Sequence, residues 1–112
     1  MYVHEFISFM NQQAYEMNLS NTRFSNPHGL ANAMNTSSAK DVLRLSLKAC
    51  KHSFFRTVMS TLHHNYTFYE DLTFRKKKEG KWWNTNKLLQ KDWEGVKTGQ
   101  TPSAGSCLSS LK

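Results

Sequence analysis

The stretch Trp93-Glu94-Gly95-Val96-Lys97-Thr98-Gly99-Gln100-Thr101-Pro102-Ser103-Ala104-Gly105-Ser106-Cys107-Leu108 sets a short strand-like run, a Lys-Thr-Gly triplet and a turn rich in Pro, Ser and Gly in series. Residues 94–98 and 106–111 read as two antiparallel strands joined as a hairpin. A strand edge carrying Lys97, Thr98 and Gly99 in this order offers three things to a ligand. It gives a cation for a carboxylate, a hydroxyl to hydrogen-bond it, and a residue without Cβ, so that the ligand lies against bare backbone. Such a tripeptide also arises by chance, so the flanking sequence must decide what it means.

Upstream, Trp82 and Trp83 read as a return strand, preceded by the basic run Arg75-Lys76-Lys77-Lys78 with Lys81. The run lies beside Glu79-Gly80 and reads as a solvated hairpin tip that turns at that dipeptide. Tyr66 and Phe68, then Leu72 and Phe74, suggest extended strands leading into it. Phe54 to Leu62 predicts a short helix, and Ser38-x-x-Asp41 resembles a capping box, so another helix should start near Ser38 and bury Val42, Leu45, Ala49 and Cys50. Residues 18–35, rich in Asn, Ser, Gly and Pro, form a long loop anchored by Phe24 and Leu30. Before it, Val3, Phe6, Ile7, Met10, Ala14 and Met17 recur at helical spacing, which makes residues 3–17 an amphipathic helix with one buried stripe. Helices come first and strands follow. That order predicts an α+β fold in which an antiparallel sheet packs against helices, with a helical part over about 1–62 and a sheet part over about 65–111.

Composition narrows the function classes. The chain has 112 residues, 38% of them apolar, and a net charge of +7. A domain of that length buries only about two-thirds of its unfolded surface. No run approaches the ~18 apolar residues of a membrane span, and Met1-Tyr2-Val3-His4-Glu5 lacks the basic start and apolar middle of a secretory signal. The positive charge raises the question of a nucleic-acid partner, but no nucleic-acid motif accompanies the basic run, and the expectation is that there is none. Cys50 and Cys107 show no Cys-x-x-Cys spacing, and the five histidines, His4, His28, His52, His63 and His64, are scattered. Neither a metal site nor a cofactor is expected, and both thiols should be free and buried.

The flanks of Lys97-Thr98-Gly99 carry a resemblance. With Thr101 and the following Ala104-Gly105-Ser106-Cys107-Leu108, the chain resembles the D-alanyl-D-alanine carboxypeptidases, the low-molecular-weight penicillin-binding proteins, in which Lys-Thr-Gly is the third of three active-site signatures. Four further segments occur in family order. Met10-Asn11 with Ala14 is similar to the family's Met-Asn-x-x-Ala helix. Thr22-x-Phe24-x-Asn26-Pro27-His28-Gly29-Leu30 is similar to its Asn-Pro-x-Gly-Leu loop, Ser38-Ala39-Lys40-Asp41-Val42 to a helix start, and Asn84-Thr85-Asn86-Lys87-Leu88-Leu89 to its Asn-x-Asn-x-Leu-Leu turn.

This resemblance implies a β-lactamase/transpeptidase-like fold, of which residues 1–112 are a partial catalytic domain. It also implies serine acyl transfer on D-alanyl-D-alanine stem peptides of peptidoglycan, with β-lactams as mimics, outside the cytoplasmic membrane. Lys97, Thr98, Gly99, Gln100 and Thr101 become the substrate-binding residues, Lys97 supplying positive potential, Thr98 and Thr101 hydroxyls, and the Gln100 N–H one oxyanion donor. No catalytic residue is assigned. The family's Ser-x-x-Lys nucleophile and Ser-x-Asn motifs precede the Met-Asn helix, and Ser-x-Asn occurs nowhere here. Ser37 to Lys40 and Ser109 to Lys112 have the Ser-x-x-Lys spacing but lie in the wrong place. Ser37 reads as part of a helix cap and Ser109 as a strand-end serine. Three readings stay open on sequence alone: part of a carboxypeptidase, itself inactive; a non-catalytic remnant that binds cell-wall peptide or a protein; and a basic binding protein.

Overall fold

A computed structural model describes residues 2–112. The chain runs through helices α1 (Val3–Glu16), α2 (Ala39–Ala49) and α3 (Ser53–Ser60), strands β1 (His63–Tyr69) and β2 (Lys77–Trp83), a 3-10 turn (Lys87–Lys91), and strands β3 (Glu94–Thr101) and β4 (Gly105–Leu111). The class is α+β, helices before strands. Among the described residues the strands form two separate antiparallel hairpins, β1–β2 and β3–β4, not one sheet.

Three polar side chains organise the long segment between α1 and α2. The carboxamide of Asn11 donates to Phe24 O and accepts from Phe24 N, both at 2.8 Å, so it pairs with that peptide unit as a strand neighbour would. Asn35 Oδ1 accepts from Ser25 N at 2.6 Å and from the Ser25 hydroxyl at 3.1 Å. Asp41, 1% exposed, accepts from Asn21 N at 2.8 Å and from the Thr22 hydroxyl at 2.9 Å. Apart from one antiparallel bridge, in which Arg23 and Thr36 exchange backbone hydrogen bonds at 2.9 Å, the segment has no ladder, and its other backbone groups need such partners. Ser38 does cap α2, accepting from Asp41 N at 3.2 Å, but the box is not closed in return: Asp41 Oδ2 takes both bonds from the loop and the buried Oδ1 has no partner among the described residues.

The burial pattern departs from the helical periodicity. Along α1 only Ala14 is fully buried; Ile7, Met10 and Met17 are half-buried, and Val3 and Phe6 are exposed. In α2 the buried residues are Asp41 and Ser46, while Val42 and Leu45 face outward. Phe24 is half-buried, as an anchor should be, but Leu30 is exposed. Cys107 is exposed and Cys50 half-buried, so both thiols are free but neither is fully covered.

The first hairpin also corrects the sequence. It does not turn at Glu79-Gly80. Gly80 lies in mid-strand opposite Tyr66, whose ring covers it; a Cβ there would come within 2.5 Å of the tyrosine oxygen. The turn lies at residues 70–76, where Asp71 Oδ1 accepts from Thr73 N at 3.1 Å and the Thr73 hydroxyl at 2.8 Å, and Phe74 has φ 56°. Leu72 and Phe74 therefore sit in the tip, and Lys77 and Lys78 lie on the strand, paired with Glu79 and Glu70. The hydrogen bond between Lys77 and Glu79 holds the lysine above its usual pKa and the glutamate below.

The core is thin. Ala14, Leu19 and Met59 are the buried apolar residues among those described, while Trp82 and Trp83 stay 64% and 61% exposed. The Cα radius of gyration is 16.8 Å, against about 13 Å for a compact domain of this length. A chain with so little shared core should not unfold as one unit. Helix loss followed by circular dichroism and hairpin loss followed by tryptophan fluorescence should have different midpoints. One sharp transition shared by both signals in a monodisperse monomer would overturn this expectation.

Candidate functional site

The Asn84–Asn86 turn fixes the start of β3. Asn84 N donates to Leu62 O at 2.8 Å and its carboxamide to Thr61 O at 3.1 Å, which ties the turn to the end of α3. Asn84 Oδ1 accepts from Asn86 N at 2.9 Å, and Asn86 Oδ1 from Leu88 N at 3.0 Å. The buried Asn86 carboxamide reaches across to Ser110 Oγ at 3.1 Å, and Ser110 donates to Glu94 O at 3.1 Å. Both the turn and α3 close on Gly95, where a Cβ would stand 2.8 Å from Met59 O and 3.0 Å from Asn86 Nδ2. Only glycine allows this approach.

Immediately after Gly95 the ladder slips. Gly95 pairs with Ser110 and Lys97 with Ser109, so Val96 is the extra residue of a bulge. A bulge bends the strand and re-aims the side chains that follow it. Those are the five residues that the sequence singles out, and β3 brings all five onto one strand. The Lys97 ammonium is exposed and donates to the carbonyl of Thr98. Thr98 is half-buried, and its hydroxyl lies 2.6 Å from that of Thr85. Around Gly99 the space is open, with nothing within 4 Å of where a Cβ would stand. Gln100 is exposed opposite Ser106, and Thr101 shapes the hairpin turn, its hydroxyl accepting from Ala104 N at 3.1 Å.

Among the described residues β4 is the sole neighbour of β3, which leaves the other edge of β3 unpaired. Two clefts meet along this strand. One, of about 570 Å³, is lined by Thr85, Lys97, Thr98, Gly99 and Gln100 with part of β4. The other, of about 730 Å³, lies between Gly99–Thr101 and the Phe24–Ser37 segment. Gly99 and Gln100 border both. The arrangement suits an extended peptide-like ligand laid along a strand edge with its carboxylate toward Lys97 and Thr98.

Neither serine at Ser-x-x-Lys spacing pairs with its lysine. The Ser37 hydroxyl bonds Thr22 Oγ1 at 3.0 Å, beside the cap rather than in it. Ser109 is half-buried within β4 and bonds Ser46 Oγ at 3.1 Å, while the Lys112 ammonium lies over the Trp93 ring. His28 is exposed and accepts from Leu30 N through Nδ1 at 3.2 Å. Among the described residues no three His, Cys, Asp or Glu side chains gather as metal ligands would, and no helix is long and apolar enough to cross a membrane. Sequence reasoning passed over Thr85 as a site residue. Its position between the two asparagines of a turn that abuts Lys-Thr-Gly was the available signal.

Comparison with known proteins gives a consistent result. A family model described as D-alanyl-D-alanine carboxypeptidase matches residues 3–111. The D-alanyl-D-alanine carboxypeptidase DacF of Bacillus subtilis is 36% identical over 108 residues, which are 93% of this chain and 26% of that protein. The D-alanyl-D-alanine carboxypeptidase of Streptomyces sp. strain K15 is 36% identical over 95% of this chain and 37% of its own length. The crystal structure of the Streptomyces K15 DD-transpeptidase superposes with a TM-score of 0.82 at 36% identity, covering 92% of this chain and 40% of that one. Penicillin-binding protein D2 of Listeria monocytogenes in its cefotaxime-bound form gives 0.72 at 30% identity, covering 96% and 42%. The chain thus spans between about a quarter and two-fifths of the length of these proteins.

Proposed function

This chain belongs to the D-alanyl-D-alanine carboxypeptidase family, and we propose from that premise that it provides the carboxylate-recognition strand of a serine acyl-transfer site acting on peptidoglycan stem peptides. Its fold is correspondingly of the β-lactamase/transpeptidase-like class. The observation that carries the reading is the unpaired edge of β3, with Lys97, Thr98 and open Gly99 in series at the meeting of two clefts. The helical part, up to about residue 62, and the strand part that begins with β1 at His63 belong to one partial catalytic domain.

In this reading the D-alanyl-D-alanine end of a stem peptide runs along β3. Lys97 supplies positive potential to the terminal carboxylate and the Thr98 hydroxyl donates to it, with Thr101 further along the strand. Gly99 lets the peptide backbone approach, and the Gln100 N–H points to the carbonyl oxygen that gains charge during attack. A serine adds to the penultimate peptide carbonyl, the C–N bond breaks, terminal D-alanine leaves with the serine's proton, and water later releases the acyl group. That serine and its lysine are not at family positions within these 112 residues, so the chain alone does not perform the step. A β-lactam, carrying a carboxylate beside a strained amide, occupies the same edge. The place of work is the cell envelope, outside the cytoplasmic membrane.

The test is reconstitution. Fusing or co-expressing the chain with the segment of a family member that carries Ser-x-x-Lys and Ser-x-Asn should give a protein that is labelled by fluorescent penicillin. A well-folded reconstituted protein that is never labelled would overturn the proposal and favour a non-catalytic binding role.

A further inference from the structure

We infer that Thr85 is a positioning residue for Thr98, fixing which way the Thr98 hydroxyl points its proton. The two hydroxyl oxygens are 2.6 Å apart, and Thr85 Oγ1 has no other hydrogen-bond partner among the described residues. Thr85 lines the same cleft as Lys97 and Thr98. The residues on either side of it are the tied ones, Asn84 to Thr61 O and Asn86 to Ser110 Oγ, so its backbone is held in place while its side chain is directed at β3.

A threonine hydroxyl has one proton and two lone pairs, whereas an ionised carboxylate only accepts. If Thr98 gives its proton to Thr85, none remains for a carboxylate. When a carboxylate binds, it is the stronger acceptor and takes the Thr98 proton, and the bond between the threonines survives only with Thr85 as donor. The result is a directed chain, Thr85 O–H to Thr98 Oγ1 and Thr98 O–H to carboxylate, in which each bond polarises the next. Thr85 thus acts on the ligand through Thr98, without touching it, and its contribution is specific to ligands with an acceptor at that point. No bond is made or broken.

The inference rests on the proposal that β3 recognises a carboxylate, and one experiment separates the two. Saturation-transfer NMR on the full chain, at low protein concentration and low temperature, would measure binding of N-acetyl-D-alanyl-D-alanine and of its C-terminal amide. Thr85→Val, which keeps shape but removes the hydroxyl, should weaken the free acid roughly three- to tenfold, the range for losing one hydrogen bond in a charge-assisted chain. The amide, which offers Thr98 only a neutral and weaker carbonyl acceptor, should lose clearly less than the acid, and Thr85→Ser should bind the acid as the unaltered chain does. A merely structural role for Thr85 would weaken both probes together and would overturn the inference. So would acid binding that depends on Lys97, tested by Lys97→Ala, yet is indifferent to Thr85→Val. Absence of acid binding by the unaltered chain would overturn the carboxylate reading itself, and the inference with it.

Discussion

In a reconstituted protein that reacts with penicillin, Lys97→Ala should slow acylation by about 2–4 kcal/mol of barrier, or roughly 30- to 1000-fold. The magnitude is that of deleting one oriented electrostatic donor from a site that water partly leaves when a ligand arrives. Lys97 has the placement for the role: it follows the Val96 bulge and lines, with Thr98, a cleft of about 570 Å³, its ammonium exposed. Lys40→Ala and Lys112→Ala should leave the rate within a fewfold. Lys40 is an exposed residue of α2, and Lys112 rests on Trp93. Stopped-flow acylation kinetics would measure all three. Equal loss from Lys40→Ala, or none from Lys97→Ala, would mean that a different lysine faces the ligand.

The parts of this molecule that the sequence disclosed are those governed by local rules. Ser38 starts α2 because a serine oxygen satisfies an orphan amide of the first turn, and that requirement reads directly from Ser38-x-x-Asp41. The β3–β4 hairpin was legible because strand-forming residues flank a turn rich in Pro, Ser and Gly. What was not legible depends on partners distant in the chain. Gly80 reads as a turn residue until Tyr66, its cross-strand neighbour, is seen to lie over it and take the place of the missing side chain. Asp41 reads as a capping residue until Asn21 and Thr22, some twenty positions upstream, are found on its carboxylate. Apolar periodicity placed the helices but misjudged their burial, because Val42, Leu45 and Phe6 are exposed in a chain whose hairpins pack few neighbours. For the site, the five residues on β3 could be named from their motif. Thr85 left only its place between the two asparagines of the adjoining turn as a signal, and that place does not rank it among them until the 2.6 Å distance to Thr98 is seen.

Without an added nucleophile segment, the 112-residue chain should form no stoichiometric covalent adduct with a fluorescent penicillin, even at large excess. Acylation requires a hydroxyl whose proton can leave as the oxygen attacks, and a neutral serine needs an adjacent base for that. The two serines at the right spacing lack one: the Ser37 hydroxyl is bonded to Thr22, that of Ser109 to Ser46, and each partner is another hydroxyl with no tendency to take a proton. A donor-lined strand edge does not compensate, since stabilising a developing oxyanion accelerates an attack only when something attacks. The free thiols of Cys107 and Cys50 could mislead the assay and should be alkylated first, and substoichiometric adducts scattered over exposed lysine amines do not count as acylation of a site. Intact-mass spectrometry should then show the unchanged chain. A one-to-one penicilloyl adduct mapped to Ser37 or Ser109 would show that one of those serines gains a base in solution, and the nucleophile would have to be sought inside this chain and not outside it.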